Sequence, residues 1–392
     1  MLFTQNRLIY ILIIILLIPC ATLQAQDNSK LDFKGYVKYM QTIQYEKFGE
    51  NWLTESLFHN RLNFKYYASD NFTAVFEMRN RFIYGDFVKT FPGYADFIGK
   101  DPGFVDMSFN LSTGDSYVLN TSIDRFYLDY QTGNFQARIG RHRINWGMNL
   151  IWNPNDVFNA YSYFDFDYEE RPGTDAVRLQ YYTSYTSSTE FVYQLGDSIE
   201  RMAFMGKYRY NKWNYDFQFL GGYSKGDLVL GTGWSGDIKG GGFRGEFTYF
   251  YGPDSLMVKN IGQLVASISG DYSFKNSLYL QFSVLYNSRG TTGKAGYPNP
   301  AILLSQTSAK YLTLSRADLF GQISYQFTPL LLGGFASIYN PFDHSSFMGP
   351  MLTYSLSDNI ELMASGQMFL GEKGTEFGDI GTLIYFRFKW SF

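Results

Sequence analysis

Between Phe58 and Phe82 apolar and polar side chains take turns. Phe58, Leu62, Phe64 and Tyr66 share one parity, while His59, Arg61, Asn63 and Lys65 take the other. Ser69, Asp70 and Asn71 interrupt the run with short polar side chains that bond locally to the backbone and favour a turn. Ala74, Phe76, Met78 and Phe82 then resume one face, opposite Glu77, Arg79 and Arg81. Period two is the signature of a strand with two unlike faces. The pattern recurs along most of the chain in segments of about ten residues, the length of a tilted membrane-spanning strand, against the five or six common in soluble sheets. Beyond the N-terminal region no long segment repeats apolar residues at helical spacing.

Alternation alone also fits a soluble sandwich, so composition has to arbitrate. Aromatic residues make up 19% of the chain, with 37 Phe, 33 Tyr and 6 Trp, a load that needs a large apolar environment. The connections are unequal, short and long in turn, as in outer-membrane β-barrels with tight periplasmic turns and long outer loops. A closed barrel is also one of two ways to satisfy every backbone amide within lipid. Segments beginning near Phe33, Phe58, Phe72, Ile123, Phe135, Thr174, Thr189, Met202, Asn214, Leu228, Gly242, Leu264, Leu278, Leu319, Leu330, Phe347, Ile360 and Leu383 number eighteen. The expected fold is all-β: a single closed antiparallel transmembrane β-barrel of eighteen strands, with sixteen as the alternative because the seventh to tenth are weakly marked. Connections after strands three, five, eleven and thirteen read as long. A net charge of −3 argues against nucleic-acid binding.

The N-terminus carries Arg7, an apolar run from Leu8 to Ile18, then Pro19 and small or polar residues. This reads as a secretory signal peptide over residues 1–25, cleaved after Ala25, leaving 26–392 as the barrel. The run is too short for a spanning helix. Cys20, the single cysteine, falls inside the signal, and Pro19 before it disfavours lipoprotein processing. No disulfide or cysteine metal site is then available, and neither metal nor cofactor is expected. At the other end, Ile384, Phe386, Phe388, Trp390 and Phe392 alternate with Tyr385, Arg387, Lys389 and Ser391. This is the expected closing strand, its aromatics on lipid and its cations in the lumen. Phe388, Trp390 and Phe392 resemble the C-terminal signal read by the barrel-insertion machinery, which that likeness makes an expected partner along with outer-membrane lipid.

One stretch stands apart: "RIGRHRINWGMNLIWNPNDVFNAYSYFDFDYEERPGTDAVRLQYY". Gly140, Arg141 and Arg143 lead to Trp146 and Gly147, then to Asn153, Pro154, Asp156, Phe158 and Asn159. Over about twenty residues this resembles a segment of porin-like outer-membrane proteins of the Bacteroidetes type. The resemblance implies a passive channel and says little about the solute. Physically, the outer loop 147–171 is too aromatic to float in water, and the inside wall of a wide barrel could hold it. Its carboxylates Asp156, Asp165, Asp167, Glu169 and Glu170 are expected to face Arg138, Arg141 and Arg143 across a constriction, since opposed charges are how pores select solutes. Strict alternation puts Arg141 and Arg143 on lipid, so a bulge at Gly140 is expected to return them to the lumen. The simpler alternative is a solvated loop tip and a structural arginine network.

Lys65, Arg79, Arg81, Arg125, Arg138 and Arg178 take lumen parity against Glu77 and Asp129, which favours small polar or anionic solutes. His59, His142 and His344 are not spaced for a hydrolase, so no enzyme is expected. "GTGWSGDIKGGG" lacks the ending of a phosphate loop and reads as a turn with bulges. The competing reading is a plugged barrel that binds surface glycan or serves secretion and assembly. Association of several copies into a homo-oligomer is left open by the sequence.

Overall fold

The computed structural model describes residues 30–392 apart from 166, 168, 170, 255–258 and 297–307; the signal expected over residues 1–25 lies outside them. Among the described residues nineteen strands join in one antiparallel sheet. The first half comprises β1 (Leu31–Tyr45), β2 (Leu53–Ser69), β3 (Phe72–Gly85), β4 (Ser108–Gly114), β5 (Tyr117–Thr132), β6 (Phe135–His142), β7 (Thr174–Ser184), β8 (Ser187–Gln194) and β9 (Ala203–Lys212). The second comprises β10 (Tyr215–Ser224), β11 (Asp227–Ile238), β12 (Gly241–Asp254), β13 (Lys259–Ser273), β14 (Leu278–Asn287), β15 (Ala317–Thr328), β16 (Leu331–Tyr339), β17 (Ser346–Ser357), β18 (Ile360–Leu370) and β19 (Thr382–Ser391). Two short helices, α1 (Asp86–Thr90) and α2 (Tyr94–Gly99), lie between β3 and β4.

Eighteen of these strands close a ring. β4 pairs only with the first half of β5, above the point where the short β6 stops, while β3 pairs with β5 along its length. Closure runs from Tyr36 opposite Ser391 to Tyr45 opposite Thr382. Beyond that ladder Gly35 and Phe392 exchange two backbone hydrogen bonds of 2.9 Å. A Cβ on Gly35 would come within 2.4 Å of the Arg61 carbonyl and 2.8 Å of the Phe392 ring, so the last ring can lie over the seam only because Gly35 has no side chain. All eighteen expected strands are present. The connection after the eleventh ring strand is short, contrary to expectation, because β12 and β13 extend to Asp254 and from Lys259. The glycine-rich stretch is mostly strand: it supplies the last eight residues of β11, a two-residue turn at Lys239 and Gly240, and the start of β12.

The two faces are inverted relative to a soluble sandwich. Phe58, Phe126, Phe191, Phe204, Phe282 and Phe386 stand exposed on the outside. Lys38, Arg61, Glu190, Glu246, Thr248 and Ser283 are at most 1% exposed on the inside. A continuous apolar exterior of this kind is an aggregation liability in water and the natural surface in lipid. On one end the strands join through tight turns. Trp213 and Asn214, like Lys239 and Gly240, take two successive positive φ angles, the conformation whose twist matches a hairpin. In outer-membrane barrels tight turns of this kind lie at the periplasmic end and long connections at the outer end.

Candidate functional site: the occupied lumen

The connection after β6, residues 143–173, runs through the barrel interior and touches both sides of the wall. Its base is closed by Asn159, whose Oδ1 accepts from Ile144 N at 2.9 Å and whose Nδ2 donates to Thr174 Oγ1 at 2.8 Å. Trp146 is fully buried; its Nε1 donates to Glu190 Oε1 on β8 at 2.7 Å, and its ring meets Phe158 edge-on at 4.9 Å. Asn153 Oδ1 accepts from Asn149 N at 3.0 Å. Glu246, on β12, accepts three backbone N–H groups of the loop, from Met148, from Asn149 at 2.7 Å and from Asn155 at 2.8 Å. Asn155 in turn takes a bond from Thr248 Oγ1 at 2.7 Å and donates to Thr232 O at 3.1 Å. It fits there because β11 presents Gly231 and Gly233 to the lumen; a Cβ on Gly231 would stand 2.6 Å from Asn155 Oδ1.

The second half of the loop crosses to the far wall. Tyr163 packs on Phe320 at 5.3 Å, and Phe164 on Phe347, Phe369 and Phe377 at 5.0, 5.3 and 6.0 Å. Gln367 donates to Phe164 O at 2.9 Å. Buried aromatic pairs of this kind add about 0.5–1.5 kcal/mol each beyond area burial, enough together to hold a loop inside a polar lumen.

The charges are arranged otherwise than expected. Asp167 lies 2.6 Å from Lys38 on β1 and 3.2 Å from Arg387 on β19. Glu169 lies 2.7 Å from Lys389 and 3.5 Å from Arg387. The loop therefore reaches the barrel seam, not the β6 wall. Arg138 pairs with Asp129 on its neighbour strand. Arg141 is held by Asp175 at 2.7 Å and by Asp101 at 2.6 Å. The register of β5 and β6 runs unbroken through Gly140, so the bulge expected there is absent, although Gly140 takes φ +114°. Arg141 keeps the register of lipid-facing Phe126, yet it lines the interior cavity beside Asp165 and Asp167, as expected of a lumenal residue, with two carboxylates and the connection before β4 enclosing it. The irregularity sits instead on β5, where the register shifts at Asp124 and leaves Asp124 and Arg125 both buried.

Asp156 is completely buried, and burial raises its pKa to about 6 against the opposing pull of Arg143 and Arg171. Glu169 is held below the usual carboxylate range by Lys389, then by Arg387, although its partial burial opposes this. Glu170 lies outside the described residues.

A cavity of about 640 Å³ remains between the loop and the wall of β2, β3 and β5. Arg79 and Arg81 line one side, Asp165 and Asp167 the other, with α2 and Asp101 roofing it. Arg79 Nε donates to Ser122 Oγ at 2.9 Å, and Arg81 to Asn120 Oδ1 at 2.8 Å, so both guanidinium groups are oriented by the wall. Beneath them Arg61, wholly buried, bridges Asp124 at 2.5 Å and Glu77 at 2.6 Å. Alternation placed Arg79 and Arg81 in the lumen but did not single out Lys38, Glu190 and Glu246, for which a charged residue at lumen parity inside a strand was the available signal, nor Asp124, which is buried only through the register shift on β5. Of the histidines, His59 lies edge-on to Tyr36 at 5.4 Å, His142 Nδ1 is 2.9 Å from Gly140 O, and His344 Nδ1 is 2.9 Å from Tyr339 Oη.

No family model matches the chain, and comparison with curated proteins finds no match. Solved structures are more informative. The chain is similar to OccAB4 of Acinetobacter baumannii over 93% of its own length and 99% of that chain, with a TM-score of 0.59 at 10% identity. It is similar to the outer membrane protein OprD of Pseudomonas aeruginosa over 93% of both chains, with a TM-score of 0.56 at 10% identity. OccK11 (OpdR) of Pseudomonas aeruginosa aligns over 92% of this chain and 96% of its own, with a TM-score of 0.53 at 9% identity. The chain has their fold. At such identity the likeness covers backbone topology and leaves the lumen chemistry to be read from this chain's own residues.

Proposed function

We propose that the protein is an outer-membrane channel for passive diffusion of small polar solutes, with a preference for anions, in which the loop 147–171 forms the constriction. The observation that carries this reading is the cavity of about 640 Å³ flanked by Arg79 and Arg81 on one side and Asp165 and Asp167 on the other. Opposed charges across a narrow, partly desolvated space orient a polar solute and reject ones of the wrong charge distribution. Asp167 is engaged by Lys38 and Arg387, and Arg79 lies 3.5 Å from Asp124, so the cavity presents cations and carboxylates side by side, and Arg79 and Arg81 are the cations that the anion preference rests on. The likeness of Gly140 to Asn159 to porin-like proteins supports the same reading.

Single-channel recording of the purified protein in planar bilayers tests it. The wild type is expected to conduct, with reversal potentials in a salt gradient showing anion preference. The pair Arg79→Gln with Arg81→Gln should reduce that preference while conductance persists. A wild type that does not conduct, and stays closed when the loop tip is deleted, would replace the channel by the plugged, glycan-binding or assembly barrel.

A further inference from the structure

The outside of the barrel carries a groove of about 750 Å³ on β12 to β16. Cross-strand register explains it. Phe243, Gly270, Phe282, Gly321 and Ser337 form one row on adjacent strands, large and small in turn. The next row toward the tight turns contains Tyr272, Leu280, Ile323 and Phe335. Gly270 and Gly321 thus open two gaps in the aromatic belt on either side of Phe282. A Cβ at Gly321 would meet nothing within 4 Å, and one at Gly270 would make only an ordinary 3.6 Å contact. Steric crowding therefore does not require glycine at either position, and the space above them is open. Five strands at about 4.8 Å spacing give the groove a width near 19 Å.

The charge below the groove is distinctive. Of the three tight turns at its edge, those before β12 and β14 carry Lys239 and Lys275, both exposed, and the one between β15 and β16 carries no charge. The other six periplasmic turns, at 70–71, 133–134, 185–186, 213–214, 329–330 and 358–359, contain no lysine or arginine, and Lys212 beside the fourth of them is capped by the Trp213 ring at 4.4 Å. Gly242 opposite Asp271 sets the two turns side by side. An apolar slot in the lipid-facing belt, ending at paired cations on the periplasmic rim, matches an amphiphile with an apolar tail and a negative head.

We propose that this groove is a binding site for an anionic phospholipid of the periplasmic leaflet, with an acyl chain over Gly270 and Gly321 and its phosphate between Lys239 and Lys275. The site goes beyond transport and does not depend on the pore being open. Cations at a membrane surface attract an anionic headgroup, and an acyl chain is stabilised by every methylene displaced from water. In the bilayer the second effect largely cancels against other lipid contacts, so headgroup charge and groove fit should set the selectivity.

Native mass spectrometry of the full protein, titrated with phosphatidylglycerol or phosphatidylethanolamine of matched chains, provides the test. One phosphatidylglycerol should be retained in preference to phosphatidylethanolamine. Gly321→Leu, which fills the groove without a clash, should lower retention of both lipids by about tenfold, a loss of some 1.4 kcal/mol. Lys239→Glu with Lys275→Glu should abolish the headgroup preference and leave retention of phosphatidylethanolamine unchanged. Heat-modifiable gel migration confirms that each variant is folded. Equal retention by wild type and a folded Gly321→Leu protein, or equal retention of the two lipids by wild type, would overturn the proposal.

Discussion

Asp156 shows how far a single residue departs from its sequence expectation. It was expected to project charge into a pore, but it is buried beneath the loop that carries it. Its carboxyl titrates near 6 because burial penalises the charged form. An acid whose folded-state pKa is raised contributes stability below its unfolded value, about 4, and loses it as pH climbs through the folded one. The loop should therefore be held most firmly in acid and loosen between about pH 4 and 6, by roughly 2–3 kcal/mol at most. Asp156→Asn removes the titration while keeping the shape. Hydrogen exchange of residues 150–159 should then become independent of pH-linked loosening across that range; a wild-type and variant that respond identically would show that another group governs the loop.

At the scale of elements, the loop after β6 is held by wall residues that project from distant strands. Glu246 alone accepts three of its backbone N–H groups. Glu246→Ala leaves those donors buried without an acceptor, a cost of about 1–3 kcal/mol each. The expected result is protease cleavage within 150–165 that wild type resists, and a raised, noisier conductance. Deleting Asn155 to Tyr168 should raise conductance further, because the aromatic bridge to Phe320 and Phe347 is lost with it. If the deletion leaves an already large conductance unchanged, the loop is not the constriction. Arg387 and Lys389 were recognised as lumenal cations from the alternation of the last strand; their partners Asp167 and Glu169 were also singled out, but as partners of the wrong arginines. Pairing across 220 residues is a matter of where the loop's aromatics find a wall, and nothing local encodes that.

At the scale of the whole molecule, closure depends on the seam between β1 and β19. Phe392 lies over Gly35, against Phe33 at 5.9 Å and Trp390 at 5.4 Å. Phe392→Asp should reduce folded protein in membranes, through loss of the seam packing and of the expected insertion signal. Gly35→Leu should do the same through a clash with Arg61 O and the Phe392 ring. Heat-modifiable migration reads both; unchanged folded yield for Gly35→Leu would mean the terminal ring can move aside at little cost.

The alternation of "FHNRLNFKYY" and its relatives showed by itself that the chain forms strands with unlike faces, marked the eighteen strands of the ring while leaving sixteen open, and assigned most residues of the outer face. That information is local, because neighbouring side chains on a strand must point opposite ways. The short β4 escaped notice because it rides on β5 outside the ring and buries little. Tertiary structure alone decided that Gly140 makes no bulge, that Arg141 is neutralised by Asp101 and Asp175, and that Arg79 and Arg81 face the loop across the cavity. A barrel brings strands together by register around a ring, so which charges meet across its lumen depends on closure and on the path of the loop inside it, and both are set by contacts between residues far apart in the chain.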